Sequence, residues 1–320
     1  MLMKNKYELD VTIVMINYNT YKLSKDSIDS IIKYTSGLSY ELYLVDNASS
    51  DGSGKKLQEE YKDNKNIVFM MNDKNFGTSK AFNKAARLGK GKYTLWINSD
   101  ILLKDNFIKT LFDFMESNPK AGVVGGNLLN FEGKPADSVF FSKKKPLSRI
   151  KSEGSFFYLL KRKIIKKNLH FNYSGKIKEV ADVIGADMFV RSSVFDEIGY
   201  LDEDIFMYGE DNEFQYRVLH KTNYKIYSNP NAVMYHLEGA SSKNKDNSFN
   251  PTKCRFMNEG VSIWILKSSG KNSQEKYFNL KEKQYKKYRL AAKLLGKKNK
   301  AEEYSKKLEI IKDLQKKFGF

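Results

Sequence analysis

Residues Val11-Thr-Ile-Val-Met-Ile-Asn-Tyr18 form a nearly unbroken apolar, β-branched run. A strand of this kind is covered on both faces, as in the middle of a parallel sheet. Apolar positions Leu23, Ile28, Ile31 and Ile32 follow at helical spacing, and Tyr40-Glu-Leu-Tyr-Leu-Val-Asp46 reads as a second strand. The alternation continues with a helix after Gly52-Ser-Gly54, a strand at Ile67 to Met71, a helix from about Thr78 to Leu88 and a strand at Tyr93 to Asn98. Strands and helices alternating at these lengths predict an α/β fold with a mostly parallel, doubly wound sheet. In such a sheet the ligand crevice lies at the carboxyl ends of the strands. The polar clusters Asn17-Tyr18-Asn19, Asp46-Asn47, Asn72-Asp73 and Asn98-Ser99-Asp100 all fall there.

Downstream, the pattern predicts a helix at Asp105 to Ser117, strands at Gly122 to Asn130 and Ala186 to Arg191, and helices at Ser193 to Ile198 and Asp211 to Leu219. A short strand ends at Tyr235-His236, and from about Asn272 the pattern is helical. The expected organisation is a catalytic domain over 1–268, with a basic, partly helical insertion at about 138–180 that carries an aromatic run at 156–160. A basic helical extension over 269–320 follows.

The net charge of +18 raises nucleic acid, anionic membrane or anionic substrate as a partner. Its distribution narrows the choice: residues 143–178 hold twelve Lys or Arg against one acid, residues 271–320 hold sixteen against six, and the remainder is about −3. The basic character thus belongs to the insertion and the tail. It comes with no nucleic-acid-binding motif, so nucleic acid is not an expected partner. The single cysteine, Cys254, excludes an intrachain disulfide, and no apolar run reaches the roughly 18 to 20 residues of a spanning helix. With no signal-peptide pattern at the start, a cytoplasmic location is expected, with the basic segments at the inner face of the cell membrane. The stripe Tyr304, Leu308, Ile311, Leu314, Phe318 offers a second use of the tail, packing against a partner subunit in a homo-oligomer.

Each polar cluster has both a chemical and a structural reading. Asp46 can accept the imide N–H of uracil or thymine, or it can cap the next helix. Asp100, at a strand end, can hold a divalent ion, Mn or Mg, against a diphosphate, or Asn98-Ser99-Asp100 can be a turn. Phe206-Met-Tyr208-Gly-Glu210-Asp211-Asn-Glu213 sets three acids at a helix start, where the macrodipole favours them and where Asp211 can serve as a general base. His236 lies just past a strand, where it can complete a metal shell or be structural.

Taken together and in order, these elements resemble glycosyltransferase family 2, whose members are inverting enzymes of the fold called GT-A. The resemblance runs from about Val11 to Ser241 through Val14-Met-Ile-Asn17-Tyr18-Asn19, Val45-Asp-Asn-Ala-Ser-Ser-Asp-Gly-Ser53, Asn75-Phe-Gly77 with Asn83, and Trp96-Ile-Asn-Ser-Asp100. It continues through Gly185-Ala186-Asp187-Met-Phe-Val-Arg191, Gly199-Tyr-Leu-Asp-Glu203, Phe206-Met-Tyr-Gly-Glu-Asp211 and His236. It implies that Asn17, Tyr18, Asn19, Asp46, Asn75, Gly77, Asn83, Asn98 and Ser99 bind a nucleotide-sugar, and that Asp100 and His236 bind the metal. It also implies that Asp211 is the base, and that Ala186, Asp187, Tyr208 and Glu210 border the acceptor or sugar. Bacterial rhamnosyltransferase-like members, which build surface polysaccharides, are the nearest in pattern. The implied donor is a UDP- or dTDP-sugar and the implied acceptor a glycan or a lipid-linked glycan. Two positions depart from the family pattern: Asn98 stands where many members carry aspartate, and Glu213 where a second aspartate often follows the base. A nucleotidyltransferase shares the βαβ start, but it needs a glycine- and lysine-rich phosphate loop that Asn17-Tyr-Asn-Thr-Tyr21 does not supply.

Overall fold

The computed structural model describes residues 7–153, 165, 167–237 and 249–320. The aromatic run at 156–160 and residues 238–241 lie outside them. In chain order the elements are β1 (Leu9–Asn17), α1 (Tyr21–Tyr34), β2 (Tyr40–Asp46), α2 (Ser53–Tyr61), β3 (Ile67–Met71), α3 (Gly77–Ala86), β4 (Gly91–Ile97) and β5 (Ile101–Leu103). Then come α4 (Phe107–Ser117), β6 (Ala121–Leu129), β7 (Val139–Phe140), α5 (Pro146–Glu153), β8 (Lys178–Val180), β9 (Asp182–Val183) and β10 (Asp187–Arg191). The chain continues through α6 (Ser193–Ile198), α7 (Glu210–Lys221), β11 (Lys225–His236), α8 (Pro251–Ser269), α9 (Lys271–Leu294) and α10 (Lys298–Lys317).

Strands β1 to β4 make the parallel half of one sheet, in the order β3-β2-β1-β4-β10-β6-β11-β5, with β8 on the flank of β11. The period of two along β1 sends its side chains into two cores. Ile13 joins Leu42, Tyr93, Phe107 and Phe189 on one face, while Val14 joins Val45, Phe82, Trp96 and Phe214 on the other. Strand β10 runs antiparallel between β4 and β6, a reversal that apolar patterning alone does not encode. It matters for the site because it sets Asp187 opposite Ile97, beside the Asn98-Ser99-Asp100 triplet. Strand β11 pairs antiparallel with β5 and brings His236 opposite Ile101. The β1–β2 register likewise puts Asn17 against Asp46.

The insertion is stitched to the body at both ends, since β7 pairs with β9 and β8 with β11. The three C-terminal helices enclose a third core of Ile265, Tyr277, Phe278, Ile311 and Leu314. This corrects one expectation. Leu308, Ile311 and Leu314 of the tail stripe are at most 5% exposed, so the stripe is spent on α8 and α9 and is not available to a partner subunit. The domain boundary expected at residue 268 falls in the last turn of α8, a helix that packs on both α7 and α9.

Candidate functional site

At the carboxyl end of β2, Asp46 is 4% exposed. Its Oδ1 accepts from Asn17 Nδ2 and from Ser49 Oγ, both at 2.6 Å, and its Oδ2 accepts from the Ser49 backbone N–H at 3.0 Å. Asn17 is itself fully buried, its Oδ1 accepting from Thr20 and Ser24, so it works as a strut for the carboxylate. Oδ2 keeps capacity for one further donor. Helix α2 packs directly on this group: a methyl at Gly54 would stand 2.3 Å from the Asp46 carboxyl carbon. Tyr18 is 45% exposed, and Asn19, at φ +56°, accepts from the backbone N–H groups of Ser50 and Asp51 and so joins the loops after β1 and β2.

Asn75 belongs to a neighbouring network, accepting from Asn47 Nδ2 at 2.8 Å and from the Gly77 N–H at 2.9 Å. Gly77 has φ +78°, and a methyl there would meet the Phe206 carbonyl oxygen at 2.4 Å. Only glycine lets the loop before α7 lie on α3 in this way. Asn83 is placed differently from its expected role. It is fully buried, with Oδ1 accepting from Leu201 N and Nδ2 donating to the Leu201 carbonyl and to Glu203. Its amide is used up in pinning the segment after α6, so it holds the frame and does not face a ligand.

Asp100 (3% exposed) and His236 (8%) meet at the ends of β4 and β11, Nε2 lying 3.4 Å from Oδ1. The Asn98 amide nitrogen is 3.5 Å from the same Nε2. Ser99 is buried, with its hydroxyl 3.4 Å from that of Thr20. Asp187 lies behind them, fully buried. Its Oδ2 accepts from the Gly126 N–H at 2.5 Å, and its Oδ1, like His236 Nδ1, has no hydrogen-bond partner among the described residues. Burial pushes the Asp187 carboxyl up to about 7, against the pull of Gly126 N–H and His236. Ala186 is buried and accepts from the Asn98 N–H at 3.3 Å.

Two ligands bound at right angles, each about 2.1 Å from an ion, stand about 3 Å apart. The Asp100–His236 spacing suits such an edge, and Asp187 Oδ1 is a further buried acceptor nearby. Among the described residues no group of three or more His, Cys, Asp or Glu side chains is arranged to hold an ion alone. A metal here would take the rest of its shell from a ligand or water.

The third part of the site is the start of α7. Tyr208 (φ +69°) and Gly209 (φ +102°) turn the chain through the left-handed region, costly for a bulky tyrosine and of the kind found where function over-determines the backbone. The turn is held from outside: α8 passes so close that a methyl at Gly260 would sit 1.9 Å from the Tyr208 carbonyl oxygen. Asp211 Oδ2 accepts from the Gly185 N–H at 3.0 Å and Oδ1 from the Asn212 N–H at 2.8 Å. Burial raises its pKa above the usual carboxylate range. Glu210 is 5% exposed with Oε2 unpartnered among the described residues, and burial, then the Asp211 charge, raises it too. A separate cavity of about 330 Å³, lined by Tyr200, Asp202, Glu213, Tyr216, Arg217 and Lys267 among others, contains none of these side chains.

Residues 12–199 match the family model described as glycosyl transferase family 2, well over half of the chain. The chain belongs to glycosyl transferase family 2. This glycosyltransferase is 26% identical over 235 residues to an uncharacterized glycosyltransferase of Methanocaldococcus jannaschii, covering 68% of its own length and 76% of the relative's. It is 24% identical over 166 residues to the poly(ribitol-phosphate) beta-N-acetylglucosaminyltransferase TarP of Staphylococcus aureus, spanning 49% of its own chain and half of TarP. Among solved structures it is similar to GalNAc-T7 with UDP, GalNAc and Mn2+ at a TM-score of 0.55 and 16% identity, over 74% of its own chain and 45% of the other. The shared architecture is GT-A.

One buried pair beside Asp211 of this glycosyltransferase escaped sequence reasoning. Arg149 of α5 and Asp182 of β9 form an ion pair with side chains only 6% and 5% exposed. The guanidinium lies over the Phe140 ring, 3.9 Å from its centroid, and 5.6 Å from that of Trp264 on α8. Asn212 Nδ2 donates to the other Asp182 oxygen at 3.2 Å, one residue from Asp211. Burial pushes Asp182 up to about 6, against the Arg149 charge. Arg149 is one of twelve basic residues in its segment. What sets it apart is the use of arginine over aromatic rings, a planar cation suited to stacking and bidentate pairing.

Proposed function

We propose that this chain is an inverting glycosyltransferase that moves a hexosyl or rhamnosyl unit from a UDP- or dTDP-sugar to a hydroxyl of a glycan or lipid-linked acceptor in cell-surface polysaccharide synthesis. The observation that carries the reading is the buried Asp100–His236 contact, Nε2 lying 3.4 Å from Oδ1, and with it stand Asp46 at the carboxyl end of β2 and Asp211 in the first turn of α7. Asp46 Oδ2 is the acceptor for the pyrimidine imide, with Asn17 and Ser49 fixing the carboxylate. Tyr18, Asn19, Asn75, Gly77, Asn98 and Ser99 line the donor side, while Ala186, Asp187, Tyr208 and Glu210 border the sugar or acceptor.

Asp211 takes the proton of the acceptor hydroxyl as that oxygen bonds to the anomeric carbon. The bond to the diphosphate breaks on the opposite face, its electron pair leaving with the nucleoside diphosphate, and the configuration inverts. Burial, by raising Asp211, makes it a stronger base. A divalent ion, Mn or Mg, held by Asp100 and His236 would neutralise charge on the departing diphosphate. UDP and Mn2+ in the GalNAc-T7 structure support both the donor class and the ion, and the acceptor named for TarP supports a cell-surface polymer as the product. The basic insertion and tail support work at an anionic inner membrane face, where lipid-linked acceptors reside; no helix among the described residues is long and apolar enough to cross a membrane.

The test is D211N. Transfer should fall by about 10²- to 10⁴-fold with donor binding nearly intact, and full activity would remove the base assignment. A panel of UDP-, dTDP- and GDP-sugars with manganese or magnesium, scored by nucleoside diphosphate release and thermal stabilisation, tests the donor. Stabilisation by GDP alone would overturn the role of Asp46.

A further inference from the structure

The hairpin of α9 and α10 ends in an apolar tip that no described part of the chain covers. Leu290, Leu294 and Leu295 are 59%, 79% and 68% exposed. The tip is not a frayed end. Ala292 and Ala301 are buried close to the turn, and the rings of Tyr285 and Tyr288 pack on Tyr304 at 6.3 and 5.5 Å between centroids, so the two helices stay paired up to it. Gly296, at φ +66°, then reverses the chain.

The charge around these leucines has one sign. Between Glu282 and Glu302 the chain carries eight Lys or Arg and no acid. Lys286 and Lys300 reach back to acids on their own helices, whereas Lys283, Lys287, Lys293, Lys297 and Lys298 are exposed and enter no ion pair among the described residues. At about 100° per residue, Lys283, Lys286, Lys287, Lys293 and Leu294 all fall within about 60° of Leu290 around α9. One face thus grades from lysine along the stem to leucine at the end.

We propose that this tip inserts into an anionic lipid bilayer, the three leucines entering the boundary between headgroups and acyl chains and the flanking lysines meeting lipid phosphates. Lysine stems can lie along apolar surface with the ammonium in the headgroup layer, so the two residue types act together there. The chemistry selects this occupant over others. A polyanion in water would satisfy the lysines and leave the leucines wet. A second copy of the tip would satisfy the leucines and press two sets of like charges together. The inference deepens the membrane part of the proposed function, rests on that part alone, and is independent of the donor, the metal and the base.

The experiment is sedimentation of the full chain with vesicles of phosphatidylcholine alone or mixed with phosphatidylglycerol. Binding should require the anionic lipid. The variant L290S/L294S/L295S should bind at least about tenfold more weakly, and K287Q/K293Q/K297Q should lose about fivefold per residue. All six positions are exposed, so both variants should keep the transfer activity of the parent toward a water-soluble acceptor. A second readout is L294W. Trp96 and Trp264 are each 4% exposed, so a new indole at the tip should shift to the blue on vesicle addition and be quenched by lipids brominated on their acyl chains. If the parent chain ignores anionic vesicles, the membrane reading and the tip fall together. If the parent binds and the leucine variant binds equally, or brominated chains do not quench L294W, the membrane reading stands and the tip is refuted. Equal affinity for soluble polyphosphate, indifferent to the leucines, would also refute it.

Discussion

Arg149 and Asp182 face each other in a buried ion pair formed by the insertion helix and a two-residue strand, one residue removed from Asp211 through Asn212. Removing one member strands the other charge in the interior, which costs about 3 to 5 kcal/mol. R149M should therefore unfold at a markedly lower urea concentration. The double variant R149M/D182L should recover most of the loss, since no charge is left unpaired. An additive double variant would mean that the two groups do not interact.

The pH dependence of Asp182 has a definite sign. Its folded pKa of about 6 lies above the ordinary 3.8, so between those values the folded chain binds a proton that the unfolded chain has lost. Its contribution to stability is complete below about pH 4 and is lost as pH rises through about 6, a swing of order 3 kcal/mol. D182N lacks this term. Whatever the offset from losing the Arg149 pair, the Tm of D182N relative to the parent should climb as pH goes from about 4 to about 6. A flat difference across that window would show that the carboxyl titrates normally.

Gly54 separates stability from binding. It lies in the first turn of α2 with no positive φ, where alanine is favoured by up to about 1 kcal/mol on helix propensity. Yet a methyl there would stand 2.3 Å from the Asp46 carboxyl carbon, and that carboxylate is already tied to Asn17 and Ser49. G54A should displace Asp46 and weaken UDP binding by about tenfold, roughly one misplaced hydrogen bond to a charged group, while the fold stays intact. Calorimetric titration with UDP checks it.

The His236–Asp100 edge predicts a split in metal demand. H236A should raise the manganese concentration for half-maximal activity by about 10- to 100-fold with activity regained at high metal. D100A, losing the anionic ligand, should not be rescued. Equal manganese requirement in H236A and the parent would remove the imidazole from the metal shell.

Much of the candidate site is legible in the sequence because it is local: Asn17, Asp46 and Asn98 to Asp100 lie at the ends of strands whose apolar runs are unmistakable. The proposed base is legible for the same reason, as Glu210 and Asp211 start a helix. What apolar patterning cannot reveal is pairing between distant segments. The reversal of β10 between β4 and β6, which carries Asp187 to the triplet, depends on pairing with two strands that lie far from it in the sequence. The burial of Arg149 depends on α5 meeting Phe140 and Trp264, more than a hundred residues apart. Asn83 looks like a ligand residue because it is polar and in register with the motif, but its partners are the backbone groups of Leu201, which no pattern within α3 announces.

The close passage of α8 over the turn before Asp211 ties the C-terminal helices to that turn. With Gly260 against the Tyr208 carbonyl, the first of the C-terminal helices is in contact with the frame of the turn that leads into Asp211. Exchanging this extension between related enzymes therefore also exchanges the helix that packs on the Tyr208–Gly209 turn. A chimera should keep its turnover only if the incoming helix also offers a bare backbone at that crossing.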